Sequence, residues 1–142
     1  MPTGADRRIA LVDTSAAVAF LVSDHKDHDA TFAAIAARGL GLAGHAAFET
    51  FSVLTRLPMP ARRTATAVHR LLSANFPHTR FLSAGRAERL LAELGERSVT
   101  GGAVYDALVG AAAAEHGLVL VTRDQRALGT YRQLGAAVEL LA

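Results

Sequence analysis

The sequence predicts an α/β fold of three layers, α/β/α, in which a central, mostly parallel sheet is covered by helices on both faces. Three observations lead there. Short continuous apolar runs, Ile9 to Val12 and Leu118 to Val121, alternate with longer segments of helical period. Strands that are apolar at every position belong in a parallel sheet buried on both sides. Stop signals, among them Pro58-Met59-Pro60 and Gly117, cut the chain into many short elements.

Taken in order, Ile9–Val12 reads as the first strand, ended by Asp13 and Thr14. A helix over Ser15–Val22 follows, then a polar turn from Asp24 to Asp29. The second helix carries Phe32, Ile35 and Ala36 on one face, and Leu40–Ala43 is a short strand. A third helix runs from Ala46 to Arg56, where the proline pair stops it. Ala61–Asn75 reads as a helix with Val68, Leu71 and Leu72 inward, and Thr79–Leu82 as a strand. Ala84–Arg97 has Ala87, Leu90, Leu91 and Leu94 at helical spacing. Gly101-Gly102 breaks the chain before a helix from Val104 to His116, which Gly117 caps. Leu118–Val121 is the next buried strand, a short helix follows Asp124, and Val138–Leu141 is the last strand. No linker, low-complexity tract or repeat interrupts residues 1–142, so they read as one domain, long enough to bury a core.

Composition removes several classes of function. The chain has no cysteine, which excludes disulfides, zinc-thiolate sites and thiol nucleophiles. Apolar residues make up 51% and mean hydropathy is +0.24, which argues against disorder. Arg7-Arg8 precedes an apolar stretch, but Asp13 interrupts it and the small-residue triplet Ala17-Val18-Ala19 lies inside it, so no secretory signal is read. No run reaches the roughly 18 apolar residues of a membrane span. A cytoplasmic protein is expected. Net charge is only +2, yet Lys26 is the sole lysine and every other basic side chain is arginine, the residue that grips phosphate bidentately. Codon bias explains an alanine- and arginine-rich chain equally well.

The chemistry rests on four acidic residues, each inside an apolar segment: Asp13, Glu49, Asp106 and Asp124. In a chain only 20% charged, such placements are unfavourable unless something pairs the carboxylate. Asp13 and Asp124 follow strands, and sites in open α/β sheets form at the carboxyl ends of strands. Glu49 and Asp106 fall in the N-terminal halves of helices, where the dipole tolerates negative charge. Converging, the four would suit hard cations such as Mg²⁺ or Mn²⁺, which prefer oxygen ligands. Two such ions would make the protein more positive and ease approach of a nucleic acid. The plainer alternative is that Asp13 and Asp124 are ordinary helix N-caps. Glu49, flanked by Phe48, Phe51, Val53 and Leu54, is harder to explain structurally, and so is Asp106.

In this order and spacing, the motifs VDTSA at 12–16, FET at 48–50, GGAVYDAL at 101–108 and LVTRD at 120–124 resemble those of the PIN-domain ribonucleases, specifically the VapC-type toxins of bacterial toxin–antitoxin pairs. Arg56-Leu57-Pro58 also resembles a turn common there. The resemblance covers nearly the whole chain and implies a PIN-like fold. It implies a Mg²⁺- or Mn²⁺-dependent endoribonuclease with Asp13 and Asp106 as principal ligands and Glu49 and Asp124 completing the set. Ser15 and Thr122 would orient carboxylates or water, unless they are plain capping hydroxyls. Products would carry 5′-phosphate and 3′-hydroxyl ends. The implied partners are an RNA substrate, a small VapB-type antitoxin lying along an apolar groove, and a second copy in a homodimer. The groove is expected on the third helix, with Phe32 and Ile35 of the second and Val18 and Leu21 of the first.

Other signals carry less. Gly39 to Gly44 matches G-x-G-x-x-G, but no strand precedes Gly39 and no acidic residue ends a following strand. His25 and His28 sit in a polar turn that starts a helix. Arg123 and Arg126 flank Asp124 and are the arginines best placed for a substrate phosphate, while the rest read as a solvated face. A phosphoacceptor signalling domain would need a late lysine, and an aspartate-nucleophile hydrolase a second carboxylate where Ser15 stands. A catalytically inactive PIN-like interaction module is the remaining alternative.

Overall fold

In the computed structural model, which describes residues 8–142, four parallel strands form one sheet in the order β2-β1-β3-β4. They are β1 (Ile9–Val12), β2 (Gly39–Leu42), β3 (Val119–Thr122) and β4 (Val138–Leu140). The helices are α1 (Thr14–Leu21), α2 (His28–Ile35), α3 (Ala46–Thr55), α4 (Ala65–Asn75), α5 (Ala84–Glu96), α6 (Ala103–His116) and α7 (Leu128–Gln133). Arg7 of the Arg7-Arg8 pair lies outside the described residues.

Side-chain alternation along β1 sorts the core into two layers. Ala10 and Val12 point to one face, where they meet Ala16, Phe20 and Ile35 of α1 and α2. Leu11 points to the other, against Val109 and Ala113 of α6 and Tyr131 of α7. α5 packs on α6 through Leu90, Ala107 and Ala111. The three-layer α/β/α expectation therefore holds. β2 and β3 flank β1 on opposite sides, so the crossovers diverge beside β1. A crevice at the carboxyl ends of β1 and β3 is the consequence.

Most element ends agree with the sequence reading to within a residue or two. Two elements need correction. The fourth helix begins at Ala65, not Ala61. Thr64 is its N-cap, accepting from the Ala67 N–H at 3.2 Å, and residues 61–64 form the approach to it. The expected strand Thr79–Leu82 is a single bridge between Ala43 and Arg80. It runs beside β2, but the Leu42 N–H is taken by the Thr79 hydroxyl at 3.0 Å, where a ladder needs a backbone carbonyl. That interruption leaves the segment as a cover over the edge of β2. Ile35 and Phe32 also part company: Ile35 is fully buried, whereas Phe32 is 50% exposed.

The glycines at 39 and 41 belong to β2 rather than to a phosphate loop. A Cβ on Gly41 would lie 2.2 Å from the His78 carbonyl carbon and oxygen and 2.5 Å from the Thr79 nitrogen. Backbone cannot yield as a flexible side chain does. His28 and His25 are likewise occupied locally. The His28 Nδ1 is 2.9 Å from the Ala19 carbonyl, and the His25 Nδ1 accepts from the Asp27 N–H at 3.0 Å. Among the described residues, no helix is long and apolar enough to cross a membrane.

Gly41→Ala should therefore destabilise the protein by more than the ~1–3 kcal/mol usual for overpacking. Chemical denaturation measures this, and a loss below 1 kcal/mol would show that the edge segment moves aside freely.

Candidate active site

Asp13 sits where β1 ends and α1 begins, with 3% of its surface exposed. Its Oδ1 accepts from the Ser15 hydroxyl at 2.7 Å and the Ala16 N–H at 3.0 Å. Its Oδ2 accepts from the Tyr131 hydroxyl at 2.8 Å and from the Thr122 hydroxyl. An ionised carboxylate offers about four lone-pair positions, and here donors from β3, α7 and α1 fill them. Asp13 is thus the N-cap of α1 and the centre of a buried network at once. Burial beside Asp13 drives the Tyr131 pKa far upward, so the phenol stays protonated and donates.

Glu49 and Asp106 occupy the first turns of α3 and α6. Both helix starts face the same crevice. Burial raises the Glu49 pKa most. His45 and the Thr14 hydroxyl, 3.4 Å from Glu49 Oε1, act against the rise, and the charges of Asp106 and Asp13 add to it. Burial likewise raises Asp106, opposed by Arg126 and reinforced by Asp124 and Asp13. Asp124 caps the 3-10 turn Gln125–Ala127 by accepting from the Arg126 N–H at 3.0 Å. The four carboxylates therefore share one edge, where Asp106 and Asp13 act on Glu49, and Asp124 and Asp13 act on Asp106.

The two arginines diverge. Arg126 is 76% exposed, and its guanidinium reaches Asp124 at 3.0 Å and Asp106 at 3.9 Å, so it lies over the acidic group. Arg123 turns away. It pairs with Asp27 at 3.2 Å and donates to the Thr31 hydroxyl at 3.1 Å and the Ala142 carbonyl at 2.8 Å. With its side chain only 11% exposed, Arg123 clamps α2 and the end of the chain, and it does not present a free guanidinium to a phosphate.

Among the described residues, no three Asp, Glu or His side chains already enclose a point. Mg²⁺ does not require that, because it keeps several waters and takes one or two carboxylates. The donor set is carboxylate and hydroxyl oxygen throughout, and a guanidinium already bridges two of the carboxylates. The site accepts positive charge, and its chemistry suits a hard cation. Two clefts open from it. One, of about 720 Å³, passes Ser15 and Asp124 toward Lys26, and the other, of about 480 Å³, passes Glu49 and Tyr105.

Sequence reasoning missed Tyr131 and Thr14. Tyr131 lies 118 residues from Asp13 and reads as the apolar stripe of a short helix, so no spacing ties the two together. Thr14 reads only as a strand end.

Tyr131→Phe removes a hydrogen bond to a charged group and should destabilise the fold by about 1.5–3 kcal/mol; an unchanged urea midpoint would show that the phenol contributes nothing. For Asp106 the sign is set by its raised pKa. The neutral acid suits the folded state, so that contribution is full below the ordinary carboxylate range and is lost as pH rises through the raised value. In EDTA, Asp106→Asn should melt a few degrees higher than the parent at pH 7, and the gap should close as the pH falls into the carboxylate range. A gap that persists at low pH would point to packing instead.

The PIN domain sequence profile matches residues 10–132, which include all four carboxylates and Tyr131. Ribonuclease VapC27 of Mycobacterium tuberculosis (strain ATCC 25618 / H37Rv) is 47% identical over 131 residues, spanning 92% of this chain and 96% of that protein. Ribonuclease VapC40 of Mycobacterium tuberculosis (strain CDC 1551 / Oshkosh) is also 47% identical over 131 residues, covering 91% and 96%. With fold, acidic edge and near full-length similarity in agreement, the chain belongs to the PIN domain family and groups with its VapC members.

Proposed function

We propose that this chain is a Mg²⁺- or Mn²⁺-dependent endoribonuclease toxin held in check by a small antitoxin. The observation that carries the reading is the gathering of Asp13, Glu49, Asp106 and Asp124 at one sheet edge, in a chain 47% identical to two ribonucleases. When bound, a divalent ion supplies water activation and charge neutralisation for in-line displacement at phosphorus. Asp106, Glu49 and Asp124 would hold it with Asp13. Because hydroxyls already fill the acceptor positions of Asp13, an ion would compete there with Ser15, Thr122 or Tyr131. Ser15 and Thr122 fix the Asp13 carboxylate, and the Ser15 hydroxyl also accepts from the Arg123 N–H at 2.9 Å.

The apolar groove expected for an antitoxin differs from the one read in the sequence. Ile35 is core, and Val18 and Leu21 are half-buried. An apolar groove of about 420 Å³ instead runs between α3 and α4, lined by Phe48, Phe51, Leu72, Phe76 and Phe81. An amphipathic segment of the antitoxin suits it, and a guanidinium from that segment could replace Arg126 over Asp106 and Asp124.

Incubation with structured and single-stranded RNAs tests the chemistry. Cleavage should need Mg²⁺ or Mn²⁺ and stop with EDTA. Asp106→Asn should lose more than the ~10–100-fold typical of groups that only support a metal site, while its circular dichroism stays native. Asp13→Asn is the less clean variant, because it disturbs three hydroxyl donors as well. Full activity in Asp106→Asn would overturn the assignment. A chain that retains its partner yet cuts no RNA would be an inactive interaction module.

Ser73→Glu at the exposed rim of the α3–α4 groove should reduce co-purification of the protein encoded beside it. Unaltered recovery would move the antitoxin to another face.

A further inference from the structure

An exposed aromatic surface stands beside the carboxylates and extends to the rim of the α3–α4 groove. Phe48, Tyr105 and Phe81 are 63%, 51% and 53% exposed, unusual for large apolar side chains. They are not scattered. The His45 ring stacks on Tyr105 at 5.1 Å and 21°, His45 meets Phe48 at 6.3 Å, and Phe48 meets Phe81 at 5.9 Å. The result is one aromatic strip.

The strip begins at the carboxylates. Phe48 precedes Glu49 on α3 and Tyr105 precedes Asp106 on α6, so each helix start that delivers an acid also delivers a ring beside it. The cleft of about 480 Å³ between them is lined by Thr14, His45, Phe48, Glu49, Arg56 and Tyr105. It is large enough for a small planar ligand. It combines ring faces, a hydroxyl, a carboxylate and an exposed guanidinium whose Nε donates only weakly to the Ser52 hydroxyl, at 3.3 Å.

We infer that this cleft is a subsite for one unpaired nucleotide flanking the scissile phosphate, with its base stacked on the Tyr105–His45 pair and Arg56 on a neighbouring phosphate. The inference rests on the ribonuclease reading and names the side chains that would hold the substrate beside the reacting phosphate. Aromatic faces open to solvent bind bases only when those bases are unstacked, as in loops and single strands, and A-form duplex does not offer them. A guanidinium supplies the phosphate contact that such platforms need. The cleft shares Phe48 with the α3–α4 groove but is otherwise distinct: Phe51, His69, Leu72 and Phe76 line that groove, whereas Glu49, Arg56 and Tyr105 line this cleft.

Polarisation of a short fluorescein-labelled RNA strand, read in the uncleaving Asp106→Asn background with Mg²⁺, tests the subsite. The single strand should bind and the matching duplex should not compete. Adding Tyr105→Ala should weaken binding about 5- to 150-fold, the effect of losing a base stack of about 1–3 kcal/mol, and Tyr105→Phe should restore most of it. In the otherwise unaltered enzyme, Tyr105→Ala should raise KM more than it lowers kcat. Equal affinity for duplex, or wild-type affinity in Tyr105→Ala, overturns the subsite. So does a change of solution mass in Tyr105→Ala with RNA affinity intact, which would give the strip to a second copy of the chain. If the unaltered chain cleaves single strands and Tyr105→Ala does so with unchanged KM, the subsite falls while the ribonuclease reading stands. If the unaltered chain leaves every RNA intact, both fall.

Discussion

The carboxylate of Asp13 is the constraint around which the molecule closes. Its two oxygens take donors from α1, β3 and α7, elements that begin next to it in sequence or more than a hundred residues away. A buried carboxylate is tolerable only when it is well hydrogen-bonded, and each buried donor left without it would carry its own smaller desolvation cost. The network therefore fixes relative positions. Thr122 can reach Asp13 because β3 lies beside β1, with Val12 opposite Val121. Tyr131 can reach it because α7 packs on α6, where Gly110 lets the Tyr131 Cα approach to 3.1 Å from the place a Cβ would occupy. The strand order, the small residue in α6 and the phenol on α7 all serve the same carboxylate.

From that fixed point the rest of the acidic edge follows. α3 and α6 both start at the crevice, and their N-terminal ends favour negative charge. Glu49 and Asp106 stand in those first turns, so two further carboxylates are carried in by backbone geometry alone. Helix starts also explain why rings accompany acids. Successive helical residues diverge by about 100°, so Phe48 and Tyr105 emerge to the side of Glu49 and Asp106 and line the approach to them. Binding surface and charge thus arise from the same pair of helix ends.

Much of this was legible before any coordinates. β1 and β3 announce themselves as unbroken apolar runs, and the four acidic motifs mark the strand and helix ends that form the edge. Asp13 and Asp124 are caps, as the sequence allows, and more than caps: Asp13 caps α1 and anchors the network, and Asp124 caps a 3-10 turn while facing Arg126. What escaped were contacts that depend on tertiary approach. Tyr131 looks like helix filler until α7 is packed. Arg123 looks like a phosphate ligand until Asp27 and Thr31 claim it. Thr79–Leu82 has strand composition, yet one hydroxyl in place of a carbonyl ends the ladder. The aromatic strip has no period within a single element, because its rings come from α3, α6 and the segment beside β2.

The raised pKa values of Glu49 and Asp106 say that, without a cation, their ionised forms are disfavoured in the fold. Arg126 relieves this only in part, since a guanidinium 76% exposed is screened by solvent and held loosely. The site is therefore left electrostatically unsatisfied in a way that several partners can answer: a divalent ion, Arg126 itself, or a guanidinium from another protein. All three would act on the same charge, so they compete, and either external ligand would stabilise the native state by an amount that grows with the logarithm of its concentration once that exceeds its dissociation constant. On the proposed reading, activation by metal and inhibition by a partner's cationic side chain would be opposite outcomes of one binding equilibrium. Asp13 is held by four donors, whereas Arg126, largely exposed, is the weakest-held of the charges at the site.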